Sequence, residues 1–413
     1  MQVGTQMKIV ILGAGQAALQ TAMSLRQGGF DGTIDMVGNE PFLPYQRPPL
    51  SKAYLSGKLE RERLFLKPQS FYDDHNITLH LDQHIDTIDV QGSTLSGPNS
   101  FQLAYDKLVI ATGSRPRQLA LEGRDLDGVF DLRGMADIDA MSSAFEPGKK
   151  LTIIGGGYIG LEAASVARAM GLEVVVLEAA PRLLARVAEP EISDFYARLH
   201  KSHGVELRTD CQISGFQGCQ NVTAIGFQDG SHLDTDLVII GIGILPNVEL
   251  ASAAGIEVEN GIVVDELGRT NVPGIYATGD CSLHPNTLLG RRLRLESVPH
   301  AIDQSKAVAS DILGSAQPYQ EIPWFWSDQY DVKLQISGVP DKIDHKVLRG
   351  DDTGASFAWF YFTGKKLTGV TTVNRPGEFM AGKQLILKAY RDGHEMDPAA
   401  LADESVKPKS WLA

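Results

Sequence analysis

Cysteine is nearly absent from this chain. Only three occur, Cys211, Cys219 and Cys281, and residues 1–150 contain none. There is no C-x-x-C pair and no set of histidines at ligand spacing, so neither a disulfide framework nor a structural zinc site is expected, nor any other metal site. Long apolar runs are missing as well. The first one, Lys8 to Ala14, is short and runs into glycines, unlike a signal h-region, and no window reaches the roughly 20 apolar residues needed to cross a bilayer. A reducing, cytoplasmic compartment is the expectation. Positive charge is also scarce. Lys+Arg number 38 against 51 Asp+Glu, a net charge of -13, which argues against a nucleic-acid binder working by phosphate neutralisation.

The chain has 413 residues, 43% of them hydrophobic and 22% charged, the composition of a folded protein of two or three domains. From Lys8 the run Lys-Ile-Val-Ile-Leu reads as a buried strand, and it stops at Gly13-Ala14-Gly15-Gln16-Ala17-Ala18, a G-x-G-x-x-A turn. Ala18, Ala22 and Leu25 follow at helical spacing until Gly28-Gly29. Thr33 to Val37 is then a second buried strand ending near Glu40. In such a unit Gly13 permits the tight turn, Gly15 lets a pyrophosphate approach the backbone, and Ala18 lets helix and strand pack closely. The helix N-terminus faces the phosphates, and Glu40, or Asn39 beside it, would hydrogen-bond a ribose.

The pattern returns further along. Leu151 to Ile154 reads as a strand, Gly155-Gly156-Gly157-Tyr158-Ile159-Gly160 as a full G-x-G-x-x-G, and Ile159, Ala163, Val166 and Met170 as one helix face before Gly171. Val174 to Leu177 then ends on Glu178, where a carboxylate accepts from a ribose 2′-OH and repels a 2′-phosphate. NADH is therefore expected over NADPH, with Arg182 nearby as the residue that would reverse that preference. Two dinucleotide cradles in one chain imply electron transfer between a flavin and a nicotinamide. A duplicate that has lost its ligand is the alternative.

Five further segments carry a resemblance. They are Leu43 to Lys52 (LPYQRPPLSK), Ala111-Thr112-Gly113-Ser114, Gly274 to Cys281 (GIYATGDC), Glu296-Ser297-Val298-Pro299, and Pro323 to Gln329 (PWFWSDQ). In type and order they resemble the FAD-dependent, NADH-using ferredoxin reductases of the putidaredoxin reductase type. The resemblance implies a glutathione-reductase-like α/β fold with FAD on the first cradle and NADH on the second. It implies hydride transfer from NADH to the flavin, then electrons passed singly to a [2Fe-2S] ferredoxin serving a cytochrome P450 or ring-hydroxylating oxygenase. Arg47 is implied on the FAD phosphates and Asp280 on the ribityl or pyrophosphate region. Ala111, Thr112, Gly113, Gly243, Glu296 and Val298 join the cofactor-binding set. Lys52 and Glu162 are implied as a pair beside the reactive flavin edge, the catalytic pair, and Trp324 as the aromatic near the flavin or the partner. Relatives that work through thiols keep cysteine early in the chain, and this sequence has none there.

Flavin segments lie on both sides of the second cradle, so the expected FAD domain is discontinuous, residues 1–115 and 248–322. Residues 116–247 form the NADH domain and residues 323–413 a small α+β domain with strands at Lys333–Ile336, Ser356–Phe362 and Leu367–Val373 and a helix at Gly382–Tyr390. Arg61-Arg63-Lys67 and Arg291-Arg292-Arg294 are candidate ferredoxin-docking cations. Another electron acceptor, a redox-sensing flavoprotein and an inactive flavoprotein shell stay open as readings, and the oligomeric state is not legible.

Overall fold

The computed structural model describes residues 6–412. The five residues Lys8–Leu12, all but Lys8 buried, form the central strand of a parallel sheet with the order Ile77–His80, Thr33–Val37, Lys8–Leu12, Lys107–Ile110 and Ile275–Ala277. Ile9, Val10 and Ile11 are fully buried, as a strand covered on both faces requires. The helix Gln16–Gln27 follows directly, with Ala18, Ala22 and Leu25 buried against the sheet and Gly28 at its C-cap.

A second parallel sheet repeats the arrangement in the order Glu206–Arg208, Glu173–Leu177, Lys150–Ile154, Leu237–Ile240 and Val129–Asp131. Its glycine-turn helix, Tyr158–Ala169, buries Gly160, Leu161, Ala163, Ala164 and Ala167. This corrects the helix face read from the sequence. Ala163 belongs to it, but Val166 and Met170 are half-buried and Ile159 is 39% exposed. Small residues form the inner stripe because this helix lies close against its strand, and Ile159 is left facing the cavity described below.

The two repeats differ in where the last strand comes from. The second sheet takes it from Val129–Asp131, ahead of its glycine turn, whereas the first waits for Ile275–Ala277, after the chain has passed through the second sheet. Outgoing and returning chain run side by side as a two-stranded antiparallel ribbon, Ser114–Pro116 paired with Ile244–Pro246.

A third five-stranded sheet is antiparallel, Trp324–Gln329, Val332–Ser337, Lys366–Val373, Ser356–Thr363 and His345–Asp351 in spatial order, with helix Pro376–Arg391 packed on it. Its other face is continuous with the second repeat, since Leu334, Phe357 and Val373 share one core with Leu151, Phe195 and Tyr196. That packing holds the Trp324–Gln329 strand over the second glycine turn. Among the described residues no helix is long and apolar enough to cross a membrane.

Candidate active site

A single cavity of about 1500 Å³ reaches both glycine turns. At the first turn Gly13 has φ 130°, and a Cβ there would lie 2.1 Å from the Ala111 carbonyl oxygen, so only glycine lets the two strand ends meet. Gly15 caps the helix, and the space where its Cβ would stand is open for 4 Å around. That open position lines the cavity beside the helix N-terminus, the geometry an approaching pyrophosphate needs. Ala18 does not line the cavity. It is buried between helix and sheet, the packing role the fingerprint assigns to it.

The second turn repeats this geometry. Gly155 has φ 108° with the Gly241 carbonyl oxygen 2.4 Å from the Cβ position, and a Cβ on Gly160 would sit 2.3 Å from the Gly155 oxygen, while Gly157 is open. Glu178 stands at the strand tip, with Oε2 accepting from the Gly156 amide at 2.7 Å and Oε1 from the Ala180 amide at 2.8 Å. Arg182 turns away from the cavity. Its guanidinium donates to the Ala188 and Ala185 carbonyls and to Ser193 Oγ, so it does not meet a 2′-phosphate. Arg186, exposed on the rim beside Gly243, is the arginine of this stretch that lines the cavity.

Between the turns lies the ion pair. Lys52 Nζ is 2.6 Å from Glu162 Oε2. Glu162 comes from the first turn and a half of the second glycine helix, and Lys52 from a wide turn, Leu50–Tyr54, in which the Tyr54 amide reaches back to the Pro49 carbonyl at 3.0 Å and Lys52 itself is non-helical. Glu162 is 5% exposed. A buried carboxylate needs compensation beyond one cation, and Ser51 Oγ and Ser327 Oγ supply it, each donating at 2.6 Å. Neither serine carried a signal of its own in the sequence, although each adjoins a recognised residue.

The wall near the first cradle is a polar network that the sequence reading only partly anticipated. Arg47 pairs with Glu40 at 2.5 Å and donates to the Arg133 carbonyl at 2.8 Å, and the Tyr45 hydroxyl also donates to Glu40. The expected phosphate fork and the expected ribose acceptor are thus each other's partners. Burial would lower the Arg47 pKa, but its contacts with Tyr45 and the Glu40 carboxylate outweigh burial and leave it raised, and burial with the charge of Glu40 raises that of the Tyr45 phenol, which stays neutral. Arg133, which sequence reasoning missed, donates to Ser114 Oγ at 2.8 Å and to Asp280 at 3.2 Å, and burial together with neighbouring Arg47 lowers its pKa. Asp280 also accepts from Ser114 Oγ at 2.7 Å. Two guanidiniums held side by side concentrate positive charge on a cavity wall.

Ala111, Thr112, Gly113, Gly243, Asp280, Glu296 and Val298 all line the cavity. Thr112 is tied to Asn247, its hydroxyl donating to the Asn247 carbonyl at 2.7 Å. Val298 opens the helix Val298–Ile312, capped by Ser297, so a third helix N-terminus adds its partial positive charge there. Glu296 is held by Arg294 at 2.6 Å.

Trp324 does not line the cavity; it packs on Trp326 and Phe379, with Lys383 5.3 Å above its ring. Phe325 and Trp326 line the cavity instead, and Phe325 meets Tyr158 edge to face at 5.1 Å. The basic runs are largely neutralised: Arg291 contacts Asp341, Arg292 lies 2.8 Å from Glu259 and Arg61 2.6 Å from Asp139. Cys281 is a buried filler against the Ile110 and Thr278 carbonyls. No metal-holding cluster occurs among the described residues. The open glycine positions, three helix N-termini and paired guanidiniums fit dinucleotides bearing pyrophosphate.

The family described as pyridine nucleotide-disulphide oxidoreductase matches residues 7–305, and that described as reductase C-terminal matches residues 324–412. The chain is 43% identical over 383 residues to a probable ferredoxin reductase of Castellaniella defragrans, covering 92% of this chain and 94% of that protein. It is 40% identical over 411 residues to putidaredoxin reductase of Pseudomonas putida, covering 98% and 96%. In the solved covalent complex of putidaredoxin reductase with putidaredoxin, the similar chain gives a TM-score of 0.94 at 39% identity, with 98% of each chain covered. With nearly three quarters of its length in one family match and relatives of this identity spanning the whole of it, the chain belongs to the pyridine nucleotide-disulphide oxidoreductase family.

Proposed function

We propose that this protein is an FAD-dependent NADH:ferredoxin reductase, and the observation that carries the reading is the Lys52–Glu162 pair, its carboxylate buried and its ammonium partly so, set in one cavity between two dinucleotide cradles. FAD bound at the first cradle would take a hydride from NADH and release electrons singly to a [2Fe-2S] ferredoxin of an oxygenase system. The open faces of Gly15 and Gly157 admit the two pyrophosphates, and Arg133 and Arg47 place positive charge beside the first. Lys52 holds a cation where negative charge develops on the flavin, and Glu162 orients that cation. Glu178 accepts the ribose hydroxyls of NADH, and with Arg182 turned away NADH is preferred over NADPH. Tyr158, Ile159, Phe325 and Trp326 exclude water from the transfer region.

The division into residues 1–115 with 248–322, 116–247 and 323–413 belongs to this reading, as does a cytoplasmic location. The test is direct. NADH should bleach the flavin band anaerobically, and cytochrome c should be reduced rapidly only when a ferredoxin is added. Rapid reduction of a small organic acceptor with no response to any ferredoxin would reject the reading.

A further inference from the structure

Beyond the ion pair, the hydrogen bonds continue in one direction. Glu162 Oε1 accepts from Ser327 Oγ at 2.6 Å. The hydroxyl proton of Ser327 is therefore committed, and Ser327 Oγ accepts from Gln329 Nε2 at 3.1 Å. This fixes the orientation of the Gln329 amide, whose Oε1 lies 2.8 Å from His200 Nε2 and so requires a proton on that nitrogen. His200 Nδ1 is then the acceptor for the Tyr330 hydroxyl at 3.2 Å. Every donor in the run points toward one carboxylate.

The run bridges parts of the chain that are distant in sequence. Lys52 and Ser51 come from the wide turn, Glu162 from the second glycine helix, His200 from the helix Pro190–Ser202, and Ser327 and Gln329 from the first strand of the antiparallel sheet. Glu162, Ser327, Gln329 and His200 are all buried. Tyr330 sits in the hairpin turn at φ 55°, a left-handed conformation unusual for an aromatic residue. Its ring stacks on His203 at 3.7 Å while its hydroxyl reaches His200. Packing on both sides holds the end of the run in place.

Building on the proposed function, we propose that Gln329, His200 and Tyr330 are positioning residues for the Lys52–Glu162 pair, forming a directed hydrogen-bond run that holds the Glu162 carboxylate, and through it the Lys52 ammonium, in register with the flavin. A carboxylate is strengthened as an acceptor site when its donor is itself polarised by a further donor. Ser327 ties Glu162 to the antiparallel sheet, and the run through Gln329 to His200 fixes the Ser327 hydroxyl in turn and adds a tie to a second helix. Burial lowers the His200 pKa to about 4, in keeping with the neutral imidazole the run requires. The other charged or titratable groups nearby are Tyr196 and His203 on the same helix, Arg168 on the second glycine helix and Asp328 on the hairpin.

The test uses the full-length holoprotein, with imidazole nitrogen NMR, the flavin midpoint potential and the rate of flavin bleaching by NADH. His200 is expected as the Nε2–H tautomer, with Glu162→Gln giving a mixture, because an amide can both donate and accept and no longer dictates direction. Gln329→Leu and His200→Leu should each slow bleaching by up to about tenfold, the upper end of the loss expected for one neutral hydrogen bond. They should shift the potential negative and leave the NADH KM within about twofold. His200→Gln, which keeps a donor at the Nε2 position, should restore rate and potential. An Nδ1–H tautomer in the unaltered protein, or wild-type potential and rate in both leucine variants, would overturn the proposal. So would identical behaviour of His200→Gln and His200→Leu. Should the leucine variants lose flavin, the tautomer of the Glu162→Gln protein decides, since that measurement needs no turnover. A protein that bleaches with NADH yet serves no ferredoxin would reject the acceptor assignment and leave this run intact.

Discussion

Glu162 is a charge removed from water and kept there by three donors, so changing one of them has a calculable consequence. Replacing Lys52 by Met leaves the carboxylate with two serine hydroxyls and takes the cation from the flavin edge. We expect stopped-flow bleaching by NADH to slow by at least tenfold, a loss of about 1.4 kcal/mol or more of transition-state stabilisation. Glu178→Ala removes the acceptor of two backbone amides at the strand tip, and the NADH to NADPH ratio of kcat/KM should fall about tenfold, one or two hydrogen bonds' worth. Residues such as Lys52, Glu162 and Glu178 are legible in the sequence because each keeps a short, fixed offset from a glycine turn or a recognised segment. Arg133 and Ser327 are not, because Arg133 acts on Asp280 and Ser327 on Glu162 across a folded interface, and no local pattern encodes such a meeting. The position of Trp324 relative to the cavity is not legible for a related reason. Strand alternation puts it on one face with Trp326, but it cannot say which end of that face reaches the cavity.

The glycines show how whole elements are set in place. At Gly160 a methyl would press on the Gly155 carbonyl from 2.3 Å, so helix Tyr158–Ala169 would have to lift off its strand, while at Gly157 the same methyl meets nothing within 4 Å. Gly160→Ala should therefore lower the unfolding free energy by about 1–3 kcal/mol, as overpacking does. Gly157→Ala should keep nearly wild-type thermal stability and raise the NADH Kd, because its methyl fills the space a phosphate needs. Calorimetry and NADH titration on the two proteins separate these outcomes. The strands on either side of each glycine turn and the helices between them were readable from apolar runs broken by glycine, and Lys333–Ile336, Ser356–Phe362 and Leu367–Val373 from alternation, whereas outlying strands such as Ile77–His80 and His345–Asp351 were not. The capped N-terminus of Val298–Ile312 was not, since Glu296 to Pro299 carries no glycine turn to announce a phosphate-facing helix.

Across the molecule, an overall charge of -13 is combined with arginines that mostly have acidic partners on the surface. Arg292 and Glu259 form an exposed pair of the kind worth about 0.2–1 kcal/mol, so Arg292→Glu should change the ferredoxin KM by less than about threefold. A larger loss would make that arginine a docking cation. Three buried histidines make stability depend on acidity. His200 and His300 are lowered to about 4 and His284 to about 3, each chiefly by burial. The unfolded chain protonates these rings near pH 6.5 while the folded chain does not, so their contribution is intact above that pH and is lost as the pH falls towards 4. The slope approaches about 1.4 kcal/mol per pH unit for each ring. Urea midpoints measured from pH 7 down to pH 5 should fall accordingly, and a flat profile would contradict the neutral burial of these side chains. Finally, the ribbon of Ser114–Pro116 and Ile244–Pro246 means that everything between those strands hangs from two neighbouring threads. Covalently the unit leaves and rejoins the rest of the polypeptide at one place, so a counterpart with different coenzyme tastes could be spliced in there without rerouting the chain, provided it brings a surface that fits the core shared with Leu334, Phe357 and Val373.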